Sequence, residues 1–480
     1  MKKIVTLLPF LAIIFPYVVF ELIHLGIFMN PALVHPHGHF YIVSIVSILA
    51  SGIAILVGIA GSRLRNIKVS ILSLAFISLS IMFSVHGLST PSFIFGITSL
   101  PGVAAQLSML LVTVWLWLSS FSSNNKFIVF LASQQKILVP SWTIALSIFC
   151  TIGLLNPGIV DIVPLNMNPL KNIITILVLL LNGLTIHRYF QSYRFTRFPL
   201  QLAIVYSSGW IMVSQIIMVR GLLWSLSWWI YHFLLLGSMV VMIIGLYKQY
   251  AVKGTVTESL RSLFITDPFE RVTNSMPSSI RALVAATEEK DSYTAGHTFR
   301  VTLYALKLAE EMGLKPEELR IILQGSLLHD VGKIRIPDHI LNKPGRLTKE
   351  ERLLIEEHPI TGFNMCKGLG FLKEELSIIR SHHEKWDGTG YPDRLSGESI
   401  PLYARIVAVA DVYDALTSER SYRKAWTHGQ AMEFLKENIG THFDPVCVAA
   451  WEAVCIKDPF VYQYPSEFIK DGKIVKRALA

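Results

Sequence analysis

Acidic side chains are nearly missing from one half of this chain. Its 480 residues hold 34 Asp and Glu, yet only Glu21 and Asp161 precede residue 248. Charged residues are 16% of the whole and hydrophobic ones 52%, against about 25% charged in an ordinary soluble domain. That scarcity excludes disorder and argues against a single soluble globule. Cysteine is scarce too. Cys150, Cys366, Cys447 and Cys455 form no CxxC and no Cys/His zinc spacing, which excludes a disulfide scaffold and leaves reduced, packed thiols. No repeat, low-complexity tract or lipidation motif is found.

Charge of the other sign is present but lopsided. The formal net charge is +9, with +10 on residues 1–247 and −1 on residues 248–480. The excess lies in short loops beside apolar runs, so it does not call for a nucleic-acid polymer as partner. Eight runs are long enough to cross a bilayer core, which takes about 20 residues each: 4–24, 40–61, 69–87, 98–119, 137–155, 171–188, 198–219 and 224–247. The sixth is the weakest, since Lys171 must snorkel to the interface. Ten basic residues fall in the odd-numbered flanks and loops on the N-terminal side, and only Lys171 and Arg220 on the other. Basic loops stay inside, so both termini are expected in the cytoplasm and the protein in the plasma (inner) membrane. The first run is expected to be retained: Pro16 and Glu21 interrupt it, and no small-x-small cleavage site follows.

The run His35-Pro36-His37-Gly38-His39 reads as a solvated outer loop, with metal binding as the alternative. His24, His86 and His232 lie near or within spans. Ionisable groups there are functional hypotheses by default, and two facing histidines could ligate a haem, but sequence cannot pair them. The tryptophans Trp115, Trp117, Trp210, Trp224, Trp228 and Trp229 fall near predicted span ends, as interfacial belts do.

Composition changes at Lys248. Residues 1–247 read as a membrane domain and sensor, 248–277 as a connector, 278–460 as a soluble domain and 461–480 as a tail. Beyond the join, helical signals dominate: a helix through Arg281 and Glu289 capped by Ser278 or Ser279, then 299–312, 316–329 and 402–417. Thr348-x-x-Glu351 is a capping box opening a helix that ends near His358-Pro359. The fold class is all-α: a polytopic helix bundle followed by an all-helical cytoplasmic domain.

The chemistry lies in five clusters over residues 297–411: His297, then His329-Asp330 with Lys333, then His358, then His382-His383, then Asp411. Imidazole and carboxylate in this mixture suit a dinuclear site for Fe, Mn or Zn. Asp330 is the candidate bridge, offering one oxygen to each ion. Lys333, three residues on, points to the same cavity and suits a phosphate oxygen. Two such ions can clamp a phosphodiester and lower the pKa of a water between them. No serine or cysteine nucleophile is needed. The string His-Glu-Lys-Trp-Asp-Gly-Thr-Gly-Tyr-Pro after His382 contains Gly388, Gly390 and Pro392, a loop that can bring backbone amides and Tyr391 close to a ligand.

On these stretches, with Ile340-Leu341-Asn342-Lys343-Pro344-Gly345, Ala404-Arg405-Ile406, Asp411 through Thr417 and Phe443-Asp444-Pro445, residues 278–455 resemble the HD-GYP family. That family is a branch of the HD metal-dependent phosphohydrolases. The resemblance implies an α-helical domain and hydrolysis of cyclic di-GMP to linear pGpG or on to GMP. It implies His297, His329, Asp330, His358, His382, His383 and Asp411 as ligands, Lys333 and Asp330 as catalytic groups, and two divalent ions, Fe or Mn. Gly388, Gly390, Tyr391 and Pro392 become a loop for substrate or, equally, for protein partners, and Arg420 and Arg423 the pair that holds the other phosphate and guanine, a task suited to the planar guanidinium. Two positions depart from the pattern. Members with three metals carry a Glu where this chain has Tyr293, which implies two ions here, and Ser421 replaces a proline. The layout implies a homodimer. Rival readings are an HD-type hydrolase for another cyclic dinucleotide or nucleotide, a receptor that binds without turnover, and a transporter whose soluble part regulates.

Overall fold

The computed structural model describes residues 2–91, 98–122, 125–162, 164–264, 278–291, 296–419, 424–459, 461, 469–470 and 473–474. The chain divides into two compact units, Met1–Thr266 and Asp267–Ala480.

Nine longer and shorter helices build most of the first unit: α1 Lys2–His24, α2 Pro36–Leu64, α3 Ile67–Leu88, α4 Leu100–Ser119, α5 Lys126–Ser133, α6 Gln135–Leu155, α7 Leu170–Thr196, α8 Pro199–Arg220 and α9 Leu226–Lys253. All except the eight-residue α5 are long and apolar enough to cross a membrane. They correspond one for one to the eight runs read from sequence, although α7 continues past residue 188 to Thr196. The closest pairings are α2 on α3, α8 on α9 and α3 on α4. Small residues allow the first of these. Ser73 Oγ donates to the Ala54 carbonyl at 2.9 Å, Ser47 Oγ to the Ser80 carbonyl at 2.8 Å, and a Cβ on Gly61 would come within 3.0 Å of the Ser70 backbone. Close backbone approach of this kind is how helices associate where lipid removes the hydrophobic drive. Elsewhere the bundle turns apolar stripes outward, as with Leu7, Leu11 and Phe15 on α1 and Ile144, Ile148 and Ile152 on α6.

Two readings of this half change. The histidine run is no loop. Pro36 opens α2 in the first-turn position that tolerates proline, so His35 and His37 are exposed while His39 is helical and buried. Trp115, Trp228 and Trp229 are buried inside the bundle instead of sitting in an interfacial belt. After α9, a short helix α10, Val256–Leu263, packs back on α2 and α9 within the same unit.

The second unit comprises α11 Ser278–Lys290, α12 His297–Glu311, α13 Pro316–Leu327, α14 Asp338–Leu341, α15 Lys349–Glu356, α16 His358–Lys367, α17 Lys373–Ser381, α18 Leu402–Thr417, α19 His428–Glu437 and α20 Pro445–Lys457, with a 3₁₀ turn at Val331–Arg335. The capping box at Thr348 and Glu351 opens α15 as its sequence predicts. Among the described residues the only sheet is a two-residue antiparallel pair, Ile469–Lys470 with Lys473–Ile474. Tyr304, Tyr413 and Trp451 pack together, with ring centroids 5.0–5.5 Å apart, and bind α12, α18 and α20 into one core.

Candidate metal centre

Helix ends bring the histidines of the second unit together. His297 begins α12 after Gly296, which turns the chain with φ of 73°. His329 and Asp330 follow the end of α13 and lead into the 3₁₀ turn. His358 opens α16, His382 and His383 follow α17, and Asp411 lies within α18. The turn can pass close under α16 because residue 332 is glycine. A Cβ there would land on the His358 carbonyl oxygen and lie 2.6 Å from the Gly362 nitrogen.

The side chains form two groups. Asp330, His358, His382 and His383 are one, and His297, His329 and Asp411 the other; within each, ligand atoms lie within 4.8 Å of one another. Asp330 faces both. Its Oδ1 is 3.3 Å from His358 Nε2, and its Oδ2 is 3.4 Å from His329 Nε2 and 3.8 Å from His297 Nε2. Asp411 Oδ1 stands 3.2 Å from His297 Nε2. The other six predicted ligands thus gather around the Asp330 carboxylate.

Four of the imidazoles are oriented from behind. The Nδ1–H of His329 donates to the Ser326 carbonyl at 2.6 Å, that of His358 to Ile355 at 2.7 Å, and that of His382 to Ile379 at 3.0 Å. His297 donates to the Asp414 carboxylate at 2.7 Å. With Nδ1 committed, each Nε2 points inward, and it offers a lone pair wherever the ring is neutral. His358 and His382 aim those lone pairs at each other across 3.3 Å, and His329 Nε2 is buried with no hydrogen-bond partner. Converging imidazole nitrogens and carboxylates are what a cation would satisfy, so the donor set fits divalent ions.

Electrostatics agree with this geometry. Burial and the neighbouring His358 press the His383 pKa down to about 3, keeping the ring neutral. Burial alone would lower His297, but Asp411 and Asp414 hold it up to about 9. Burial opposes ionisation of Asp330, yet Lys333 and the surrounding imidazoles keep its pKa well below the usual carboxylate value. Lys333 Nζ lies 2.8 Å from Asp330 Oδ2 and 3.2 Å from Asp291 Oδ2. The i, i+3 contact runs through a 3₁₀ turn rather than an α-helix.

The loop after His383 folds over the same centre. Glu384 is buried and accepts from the Asp393 and Leu395 amides at 2.7 and 3.0 Å. The Tyr391 ring lies 4.9 Å from that of His383. Gly390 is where the loop crosses itself, since a Cβ would meet the His383 carbonyl and the Glu384 backbone, and Gly388 takes a φ of 81°. Tyr293, Arg420, Ser421 and Arg423 lie outside the described residues. Asp414 was not among the predicted site residues. It anchors His297, and it accepts from Arg300 Nε at 2.7 Å; its signal was its place three residues after Asp411, on the same face of α18.

Residues 281–447 match the family model described as HD domain. The chain is 46% identical over 174 residues to the cyclic di-GMP phosphodiesterase response regulator RpfG of Xanthomonas campestris, covering 36% of this chain and 46% of that protein. It is 43% identical over 191 residues to a cyclic di-GMP phosphodiesterase of Vibrio cholerae, covering 37% of this chain and 39% of that protein. To the 3'3'-cGAMP-specific phosphodiesterase 2 of the same organism it is 44% identical over 168 residues, covering 35% of this chain and 32% of that protein. The chain thus spans less than half the length of each of these relatives.

Proposed function

We propose, from the premise that residues 281–447 form an HD domain, that this chain is a membrane-bound cyclic di-GMP phosphodiesterase. The observation that carries the reading is Asp330, whose two oxygens face the two ligand groups. A shared carboxylate between two sets of imidazoles is the arrangement for a pair of divalent ions, Fe or Mn. When bound, such ions neutralise phosphate charge and supply a hydroxide nucleophile at neutral pH.

The rest falls to the chain itself. Histidines locked by carbonyls and by Asp414 keep their donor atoms aimed at one point, which removes the cost of reorganising them during turnover. Lys333 holds Asp330 ionised and carries a further ammonium proton for a phosphate oxygen. Tyr391, with Gly388, Gly390 and Pro392, walls the centre on the His383 side and limits access to it. Arg420 and Arg423 complete substrate binding in this reading. The eight apolar helices hold the domain at the plasma membrane, with the hydrolase in the cytoplasm, and relay a signal to it, the whole working as a homodimer. The limits 1–247, 248–277 and 278–460 belong to the same proposal.

A second substrate deserves a place, because one similar relative is named a 3'3'-cGAMP-specific enzyme. The full chain in detergent, loaded anaerobically with Fe(II) or Mn(II), should convert cyclic di-GMP to pGpG or GMP faster than it converts 3'3'-cGAMP. Asp330→Ala should lower turnover by at least about 10³-fold, since it removes the ligand common to both groups. Retained turnover in that variant at full metal content would sink the site assignment. Tight binding without hydrolysis would favour a receptor.

A further inference from the structure

Three histidines meet a second time, in the other unit. His39 near the start of α2, His86 near the end of α3 and His232 near the start of α9 each offer a ring nitrogen within 4.8 Å of the others. They are 2%, 4% and 0% exposed. Their ring centroids are 4.9 Å apart for His39 and His86, 4.7 Å for His39 and His232, and 6.0 Å for His86 and His232. Trp224, Trp228 and Trp229 crowd around His39 at 5.2–6.2 Å. The chain before α2 closes the end of the cluster: the Leu33 amide donates to the Trp224 carbonyl at 2.6 Å and Trp229 Nε1 to the Leu33 carbonyl at 3.0 Å.

Hydrogen bonds orient two of the rings and fix the tautomer of one. His86 Nδ1 must donate to the Pro101 carbonyl at 2.8 Å, because a carbonyl only accepts. The Thr90 hydroxyl lies 2.9 Å from His39 Nδ1 and can accept its proton. In that tautomer both Nε2 atoms offer lone pairs to an ion. Yet those two atoms face each other across 3.1 Å. Two lone pairs at that distance repel unless a cation shares them. His232 adds a third imidazole beside them, with neither ring nitrogen in a hydrogen bond of normal geometry. Leaving a buried imidazole without a partner is costly, and a coordinate bond would remove that cost.

We propose that His39, His86 and His232 form a metal site, separate from the HD centre, that takes a single soft ion of low charge, Cu(I). The low charge follows from what surrounds it. The first unit up to residue 247 has two carboxylates; Glu21 is engaged by Arg220 and Asp161 by Ser99. No anion therefore balances a dication in this apolar setting, where an unbalanced charge is costly. A monocation with three neutral imidazoles lowers that cost, and imidazole is among the ligands that suit copper. A haem is disfavoured because nitrogens 3.1 Å apart leave no room for a macrocycle between them. Tyr231 Oη, 3.5 Å from His86 Nε2, is placed to shield the fourth side.

The test uses the full chain in detergent micelles. It is loaded anaerobically with Cu(I), equilibrated with a chromophoric Cu(I) chelator, and its copper counted by mass spectrometry. Wild-type protein should retain one equivalent that His39→Gln, His86→Gln and His232→Gln each lose, with affinity down at least 100-fold. His187→Gln, at an exposed position on α7, should retain it. Asp330→Ala should also retain it, which separates this site from the HD centre. Cu(I) should raise the melting temperature of wild type and not of the three variants, a readout that exposes misfolding. Equal copper in wild type and all three variants would overturn the site. Histidine-dependent retention of Zn(II) with no Cu(I) bound would overturn the assignment of a low-charge ion.

Discussion

Each half of the molecule gathers histidines by the same device and surrounds them with different charge. In the HD domain, Nδ1 protons are committed to carbonyls and to Asp414, and in the other unit the Nδ1 atoms meet the Pro101 carbonyl and Thr90 hydroxyl. In both, Nε2 atoms converge at 3.1–3.3 Å. The HD centre then adds Asp330 and Asp411 among the donors, whereas the three-histidine cluster holds no carboxylate. Imidazole geometry prepares a cation site, and the carboxylates decide how much charge it can take. Two dications suit the first, and one monocation the second.

The largest test of that contrast is backbone packing. Gly332 lets the 3₁₀ turn run against the His358 carbonyl, and neither backbone can yield to a Cβ. Gly332→Ala should therefore displace His358 and destabilise the HD domain by about 3–5 kcal/mol, read as a lower melting temperature and lost turnover. Next to the other cluster, a Cβ on Gly87 would meet only side chains, Val43 at 3.0 Å and Phe40 at 3.9 Å. Gly87→Ala should cost about 1 kcal/mol and leave turnover intact. If Gly332→Ala kept full activity, close backbone approach would not be what positions His358. A smaller effect is expected at Asp414. Its carboxylate, kept ionised against burial by Arg300 and His297, orients His297 and makes it a stronger donor. Asp414→Asn should weaken metal binding at the HD centre by about 10–100-fold, measured by chelator competition, without altering copper retention in the other unit.

Much of this arrangement was legible beforehand. A bilayer demands uninterrupted apolar length, so the eight long helices stood out as runs, and α18 begins and ends where its pattern does. Asp330 as the shared carboxylate followed from its chemistry and its neighbours. What escaped needed distance information. His39, His86 and His232 are separated by 47 and 146 residues, and no periodicity pairs such segments. Trp228 and Trp229 look interfacial in sequence because a residue near a span end can face lipid or protein alike. His39 was misplaced for a local reason: Pro36 was read as part of a loop, although proline also opens helices. The short α5 was missed because a helix of eight residues, six of them apolar, leaves no span-length signal.

The smallest effect bears most directly on the contrast. Thr90 is the counterpart of Asp414, a neutral acceptor where the HD centre has a carboxylate. Valine has nearly the same shape and cannot accept a hydrogen bond. In Thr90→Val, the ion-binding tautomer of His39 would leave its Nδ1 proton without an acceptor, whereas a proton on Nε2 can donate to the His86 Nε2 lone pair 3.1 Å away. That satisfies the metal-free cluster without an ion, so the ion must then displace a hydrogen bond. One net bond of about 1 kcal/mol corresponds to roughly fivefold weaker Cu(I) binding, well short of the effect of removing a histidine. Thr90→Ser restores the acceptor and should restore the affinity. If Thr90→Val bound Cu(I) as wild type does, the lone pairs facing each other would not be the source of the site's affinity, and the likeness between the two histidine clusters would end at their distances.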